Sequence, residues 1–133
     1  MRSILPIRTY YEDTDAGGLV YHANYLKFFE RGRVESLREL GFELNKLLSE
    51  QDVQFVVHSL SIEFLQAARL DQLLYVVTEI EEVGYASIRY NQEVYLEKEG
   101  GILSCKANVR LACLNSQLRP KGLPDILLRG IKQ

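Results

Sequence analysis

The chain has 133 residues and a formal net charge of −2, and this length suits one domain spanning residues 1–133. With 47% hydrophobic and 26% charged residues, it can bury a core without disulfides or a metal. The charge balance argues against a general nucleic-acid binder, and no apolar run approaches the roughly 20 residues of a membrane span. The first residues lack the apolar stretch of a signal peptide, so we expect a cytoplasmic protein.

The first half of the chain is predicted to form a strand, a turn and a long helix. Residues 3 to 11 alternate like a strand, and a turn with two glycines follows. From residue 23 to residue 40, apolar and small side chains recur every three or four positions, which predicts a helix that ends at Gly41. We expect Gly32, inside this helix, to allow close packing against a sheet. A second short helix is predicted around Leu47.

Four strands are predicted next, over residues 53–65, 73–83, 86–98 and 102–114. The connections between the last three are too short for helical crossovers, so we expect antiparallel pairing. In the first of these strands one phase contains Val56, His58, Leu60, Ile62 and Phe64. The element order predicts an α+β fold in which a sheet curls around one amphipathic helix.

The C-terminal third contains the two cysteines and a tail broken by prolines. Cys105 and Cys113 share the apolar phase of the last strand, too far apart to bridge at about 3.3 Å per residue. We therefore predict buried, reduced thiols, which suit a cytosolic compartment. Pro124 is predicted to begin a short helix that packs Ile126 and Leu127 against the body.

The turn before the long helix combines two carboxylates, a glycine pair and a histidine, Asp13, Asp15, Gly17, Gly18 and His22. Taken alone, each aspartate is more readily a turn former, because its side chain can accept backbone N–H bonds. Taken together, a carboxylate beside a helix start can attack an acyl carbon or activate water, and free N–H groups there can hold an oxyanion. A thioester suits this arrangement, because its leaving thiol has a pKa near 8.5 and needs little acid help.

Other chemistries have less support in the sequence. The chain contains no G-x-S-x-G nucleophile elbow and no glycine-rich phosphate loop. The turn carboxylates and His22 have no further close ligand to complete a metal site, so we predict neither a metal nor a cofactor.

The hotdog-fold acyl-CoA thioesterases have a signature that this chain resembles in the run Asp13-Thr14-Asp15-x-x-Gly18-x-Val20-Tyr21-His22-x-Asn24-Tyr25-x-x-Phe28-x-Glu30-x-x-Arg33. The similarity is greatest to the Tol-Pal-associated branch of the 4-hydroxybenzoyl-CoA thioesterase family. It is dense over residues 8–40 and looser through the later strands. The resemblance implies the hotdog fold, a five-stranded antiparallel sheet wrapped around one long central helix, in homodimers with a continuous sheet or in homotetramers.

The resemblance also implies an activity, the hydrolysis of acyl-CoA or acyl-carrier-protein thioesters without a metal. It assigns Asp15 as the catalytic carboxylate, either nucleophile or general base, and His22 as a second catalytic position. The substrate-binding positions that it implies are Val20, Tyr21 and Tyr25. It also implies a contribution from the partner chain, for which we select Ser59 and Ser61 from their position on the strand, although both are more readily solvent-side polar residues.

The sequence leaves alternatives for the function of the chain and for the role of its basic strand residues. The chain could be a non-catalytic acyl-thioester-binding or scaffold protein of an envelope-associated complex. Within the cytoplasm, a peripheral position at the inner membrane is an alternative to a freely diffusing protein. A hotdog dehydratase is disfavoured, because its histidine base and acid occupy other positions. Arg89, Lys106 and Arg110, on polar strand phases, are read as a solvated sheet face in preference to contacts with the phosphates of CoA.

Overall fold

The computed structural model describes residues 1–132, in which one five-stranded antiparallel sheet is packed against a central helix. The elements in chain order are β1 (Arg2–Arg8), a 3-10 helix (Tyr11–Asp13), α1 (Asn24–Glu39), α2 (Leu44–Gln51), β2 (Gln54–Phe64), β3 (Leu73–Val83), β4 (Ser87–Leu96), β5 (Ile102–Leu114) and α3 (Asp125–Lys132). The strand order is β1-β3-β4-β5-β2, so β1 and β2 form the two edges. This architecture confirms the expected α+β fold, an antiparallel sheet with one central helix.

The first strand is shorter than predicted. It ends at Arg8, and the chain then turns through the 3-10 helix, where the Asp13 N–H donates to the Tyr10 carbonyl at 2.9 Å. Tyr11 is 84% exposed and does not extend the apolar phase of the strand. The alternation of side chains in the sequence therefore extends past Arg8, the last residue of β1 that pairs with β3.

Gly32 lets α1 approach the sheet closely, as predicted. A Cβ at this position would lie 2.7 Å from Thr78 Oγ1 and 2.9 Å from Val76 Cγ1 on β3. Beside this contact, the buried Arg33 donates to Gln92 Oε1 at 3.0 Å, and Gln92 Nε2 donates to Thr78 Oγ1 at 2.9 Å. The central helix is thus seated on the sheet through a small residue and a buried polar network.

The predicted phase of β2 is correct only in its second half. A bulge at His58 shifts the pairing with β5, so that Val57 lies opposite Leu111 and Ser59 lies opposite Arg110. Directly opposed residues share a face, so Val57, and not Val56, joins the helix side of the sheet. Val56 and His58 were therefore assigned to the wrong face, because an extra residue reverses the alternation.

The C-terminal third packs mostly as expected. Cys105 and Cys113 are free, fully buried thiols, which confirms their prediction. In α3, Leu127 is fully buried, but Ile126 is 47% exposed, so only Leu127 of this pair packs against the body. Within the described residues, no helix is both long enough and apolar enough to cross a membrane.

Candidate active site

The loop between the 3-10 helix and α1 is a compact turn held by its own backbone. The Asp15 N–H donates to the Leu19 carbonyl at 2.8 Å, and the Gly18 N–H donates to the Asp15 carbonyl at 3.1 Å. Gly18 has a φ of 79°, a left-handed conformation that glycine adopts without steric cost. We call residues 15–20 the carboxylate loop.

Asp15 has one anchored carboxylate oxygen and one open one. Its Oδ1 accepts the Gly17 N–H at 2.9 Å and the Leu19 N–H at 3.3 Å. Within residues 1–132, Oδ2 accepts no hydrogen bond, and the side chain is exposed. The loop therefore fixes the orientation of the carboxylate and leaves one oxygen free to react.

Asp13 differs from Asp15 in both burial and partners. It is only 6% exposed, and its Oδ2 accepts the Tyr10 N–H at 2.8 Å. Its Oδ1 accepts Asn24 Nδ2 at 2.9 Å, at the first residue of α1. Asp13 thus fastens the turn to the helix, and neither of its oxygens is open.

His22 lies just before α1, where the backbone has unused donors. The Asn24 N–H donates to the Tyr21 carbonyl at 2.8 Å, and the Tyr25 N–H donates to the His22 carbonyl at 3.3 Å. In the described part of the chain, the N–H groups of His22 and Ala23 donate to no acceptor. Such groups at a helix start favour negative charge.

An exposed aromatic surface surrounds the His22 ring. The Tyr21 ring centroid lies 4.5 Å from that of His22, and the Phe64 ring meets it edge-on at 6.1 Å. Tyr21 is 47% exposed, and Phe64 and Leu65 are each 50% exposed. Phe64 and Leu65 were not predicted as site residues, although an apolar pair at the end of a strand was a signal in the sequence.

Val20 and Tyr25 are buried beneath this surface. The Val20 N–H donates to the Ala68 carbonyl at 2.8 Å. The Tyr25 hydroxyl lies 3.0 Å from Ser104 Oγ, and burial raises the pKa of this phenol. Within one chain, Val20 and Tyr25 therefore belong to the core beneath the carboxylate loop.

Ser59 and Ser61 lie apart from the carboxylate loop within one chain. They are exposed and pair with Arg110 and Asn108, on the sheet face opposite α1. Arg89 shares this face and donates to Asn108 Oδ1 at 3.0 Å. The structure thus brings Asp15, His22 and Tyr21 to one region and does not bring the serines to it.

Comparison with known proteins identifies the family. The family model described as the thioesterase superfamily matches residues 17–102. This chain belongs to the thioesterase superfamily. A superfamily relative, the acyl-CoA thioesterase YbgC of Haemophilus influenzae, is 48% identical over 120 residues, which cover 90% of this chain and 86% of that protein. Membership confirms the predicted enzyme class, a thioester hydrolase.

Solved structures of the superfamily confirm the hotdog fold. A probable thioesterase from Bartonella henselae has a TM-score of 0.87 at 35% identity, covering 93% of this chain and 100% of that one. A mutant of 4-hydroxybenzoyl-CoA thioesterase, complexed with 4-hydroxybenzoyl-CoA, has a TM-score of 0.89 at 18% identity, with 98% of each chain covered. The second likeness concerns the fold alone.

Proposed function

We propose that this chain, a single hotdog domain, hydrolyses acyl-CoA thioesters of small or medium acyl groups with Asp15 as its catalytic carboxylate. The observation that carries the proposal is the contrast between the two aspartates of the turn. Asp15 has an anchored oxygen and an open one, whereas both oxygens of the buried Asp13 are bonded. The name of the Haemophilus relative supports an acyl-CoA substrate.

The proposed chemistry needs only groups of the carboxylate loop and the helix start. Asp15 Oδ2 attacks the thioester carbonyl carbon and releases the CoA thiolate, and water then hydrolyses the acyl-aspartate anhydride. Alternatively, the carboxylate takes a proton from a water that attacks the same carbon. In both routes the free N–H groups of His22 and Ala23 stabilise the negative oxygen that forms. Trapping of the acyl-enzyme separates the routes, because only the first forms it. In single-turnover hydrolysis in oxygen-18 water, label in Asp15 also identifies the first route, and it enters when water attacks the aspartyl carbon of the anhydride.

The acyl group is proposed to lie on the exposed aromatic surface formed by Tyr21, Phe64 and Leu65. Tyr21 and Phe64 border the His22 ring, and the exposed Leu65 follows Phe64 in the chain, so these side chains offer apolar contact area to the acyl group. Direct substrate contacts of Val20 and Tyr25 have less support, because both are buried. A contact of Ser59 or Ser61 with substrate stays a prediction that requires a partner chain.

A second copy of the chain is proposed to pair along β2. This edge strand exposes Val56, Val57, Leu60 and Phe64, each at least 39% accessible. An exposed apolar edge strand is a template for pairing, whereas the other edge, β1, contains Pro6, which has no N–H to donate. A groove of about 210 Å³ between α1 and β2, lined by Leu26 and Leu60 among others, would be covered by the partner. Homotetramers would then form from two such dimers.

A cytoplasmic location and association with the Tol-Pal envelope system are proposed from the family resemblance. Two buried free thiols suit a reducing compartment. Cell fractionation with and without the envelope complex tests both, and the association is rejected if membrane-bound protein does not fall when the complex is removed.

The activity is tested by measuring free thiol released from a panel of acyl-CoAs and acyl-carrier-protein thioesters of different chain lengths. We expect turnover on at least one aliphatic or aromatic acyl-CoA. Tight binding of the panel without thiol release would instead support a non-catalytic acyl-thioester-binding protein.

A further inference from the structure

The segment 66–68, which follows β2, is hydrogen-bonded at each end to a hydroxyl of the protein interior, that of Tyr25 or that of Ser104. The Ala68 N–H donates to the Tyr25 hydroxyl oxygen at 3.3 Å. The Ser104 hydroxyl donates to the Gln66 carbonyl at 2.6 Å. The two hydroxyl oxygens lie 3.0 Å from each other, so they form one bridge across the segment.

The donor and the acceptor of each hydrogen bond in this bridge follow from the backbone groups at its two ends. A carbonyl can only accept, so the Ser104 hydrogen points to Gln66. The Tyr25 hydrogen must then point to Ser104 Oγ, and the Tyr25 oxygen accepts the Ala68 N–H. Burial raises the pKa of Tyr25, so the phenol keeps its proton at neutral pH. Each donor therefore has one acceptor.

Ser104 reaches this position because β5 bulges. Val94 pairs with Cys105 and Tyr95 pairs with Leu103, so Ser104 has no partner in the pairing of β4 with β5. Its side chain is 1% exposed, although strict alternation would place it on the polar face with Lys106. A bulge that reverses one side chain is a common way to aim a residue at a site.

The segment 66–68 and the residues that follow it are hydrogen-bonded to the carboxylate loop. The Val20 N–H donates to the Ala68 carbonyl at 2.8 Å, and the Leu70 N–H donates to the Gly18 carbonyl at 3.1 Å. Leu19, whose N–H in turn donates to Asp15 Oδ1, lies opposite Arg69 in an isolated bridge. A short chain of hydrogen bonds thus links the two hydroxyls to the Asp15 carboxylate.

We infer that Ser104 and Tyr25 are positioning residues for catalysis, which fix the carboxylate loop through Gln66–Ala68. This inference rests on the proposed function, in which Asp15 reacts with the thioester. Neither hydroxyl touches the Asp15 carboxylate. Their effect is on how often Asp15 Oδ2 and the N–H groups of the helix start are correctly aligned.

The test compares Tyr25→Phe, Ser104→Ala and the double variant with the wild type. We expect each single variant to lower kcat about tenfold with KM changed less than about twofold, because misalignment affects the reacting groups. The double variant should lose no more than either single one, because the hydroxyls act as a unit. Thr78→Val is the matched control, since it removes a fully buried hydroxyl on β3, next to Gly32, that accepts a hydrogen bond from Gln92 Nε2 and has no bond to the segment 66–68.

Amide hydrogen exchange provides a readout that does not depend on activity. Exchange of the Gly17, Leu19 and Val20 amides should be faster in Tyr25→Phe and Ser104→Ala and unchanged in Thr78→Val. The inference is overturned if these amides exchange as in the wild type, or if the variants lose stability like Thr78→Val while kcat is kept. A wild type without turnover on any substrate overturns the proposed function instead, and the exchange rates still report whether the loop is positioned.

Discussion

Asp13 and Asp15 are separated by one residue, but their surroundings assign them different tasks. The sequence predicted a turn-forming role for each aspartate taken alone, and only the resemblance assigned catalysis to Asp15. Burial and hydrogen bonds now separate them, because both oxygens of Asp13 are bonded and one oxygen of Asp15 is open. One turn therefore contains a buried carboxylate with both oxygens bonded and an exposed carboxylate with one open oxygen, which is the one that the proposed chemistry uses.

Asp13→Asn should lower the free energy of unfolding by about 1–3 kcal/mol, because the new amide would direct a donor at the Tyr10 N–H or at Asn24 Nδ2. Urea denaturation followed by circular dichroism measures this change. Asp15→Asn, at an exposed position, serves as the control and should leave the midpoint nearly unchanged. Equal midpoints for both variants would contradict the structural role of Asp13.

Gly32→Ala should also destabilise the protein, by about 1–3 kcal/mol, because its Cβ would overlap Thr78 and Val76. This loss opposes a gain of about 1 kcal/mol in helix propensity. Arg31→Ala, on the exposed side of the same helix, is the control for propensity alone. A stabilised Gly32→Ala variant in thermal denaturation would show that α1 can move away from the sheet at no cost.

At the level of elements, periodicity predicted the helices and strands well and their irregularities poorly. The bounds of β3 and β5 match those predicted, and α1 differs by one residue at each end. The bulges at His58 and Ser104 were not predicted, because a single inserted residue has no signature in a period of two. Both bulges affect the site. The first reverses which side chains of the edge strand β2 face the helix, and the second turns the Ser104 hydroxyl toward the segment 66–68.

Val57→Lys should shift the protein toward monomers and reduce thioesterase activity, because it places a charge on the proposed pairing edge. Ile126→Lys is a closely matched control, since both side chains are 47% exposed and Ile126 lies on α3. Analytical ultracentrifugation across a concentration series measures the assembly. If both variants assemble like the wild type, β2 is not the dimer edge.

For the whole molecule, the sequence predicted the fold more completely than the site. Element order and the turn motif were sufficient for the hotdog architecture. The site depends on contacts between distant segments, such as Phe64 with His22 and Ala68 with Val20. A single chain also leaves Asp15 and His22 exposed, so we expect the complete pocket to form only in the proposed dimer.

Stability should fall between about pH 9 and pH 12. Burial raises the pKa of the Cys105 thiol from 9.0 to about 12, so the folded state retains a proton that the unfolded state loses. This contribution is complete below pH 9 and is lost as the pH rises toward 12. Burial also raises the pKa of Tyr90 to about 12, so Cys105→Ala is needed to isolate the thiol. Its urea midpoint should depend less on pH than that of the wild type, and identical slopes would contradict the assignment.

The most direct test of the account is kcat/KM of Asp15→Asn on the best acyl-CoA of the panel, measured beside the wild type. Loss of the carboxylate as nucleophile or base should lower kcat/KM by about 10²–10⁴, while the urea midpoint stays close to that of the wild type. A folded Asp15→Asn variant that keeps more than about half of the wild-type kcat/KM would contradict the account, because a loss of that size is less than any direct part in the reaction predicts.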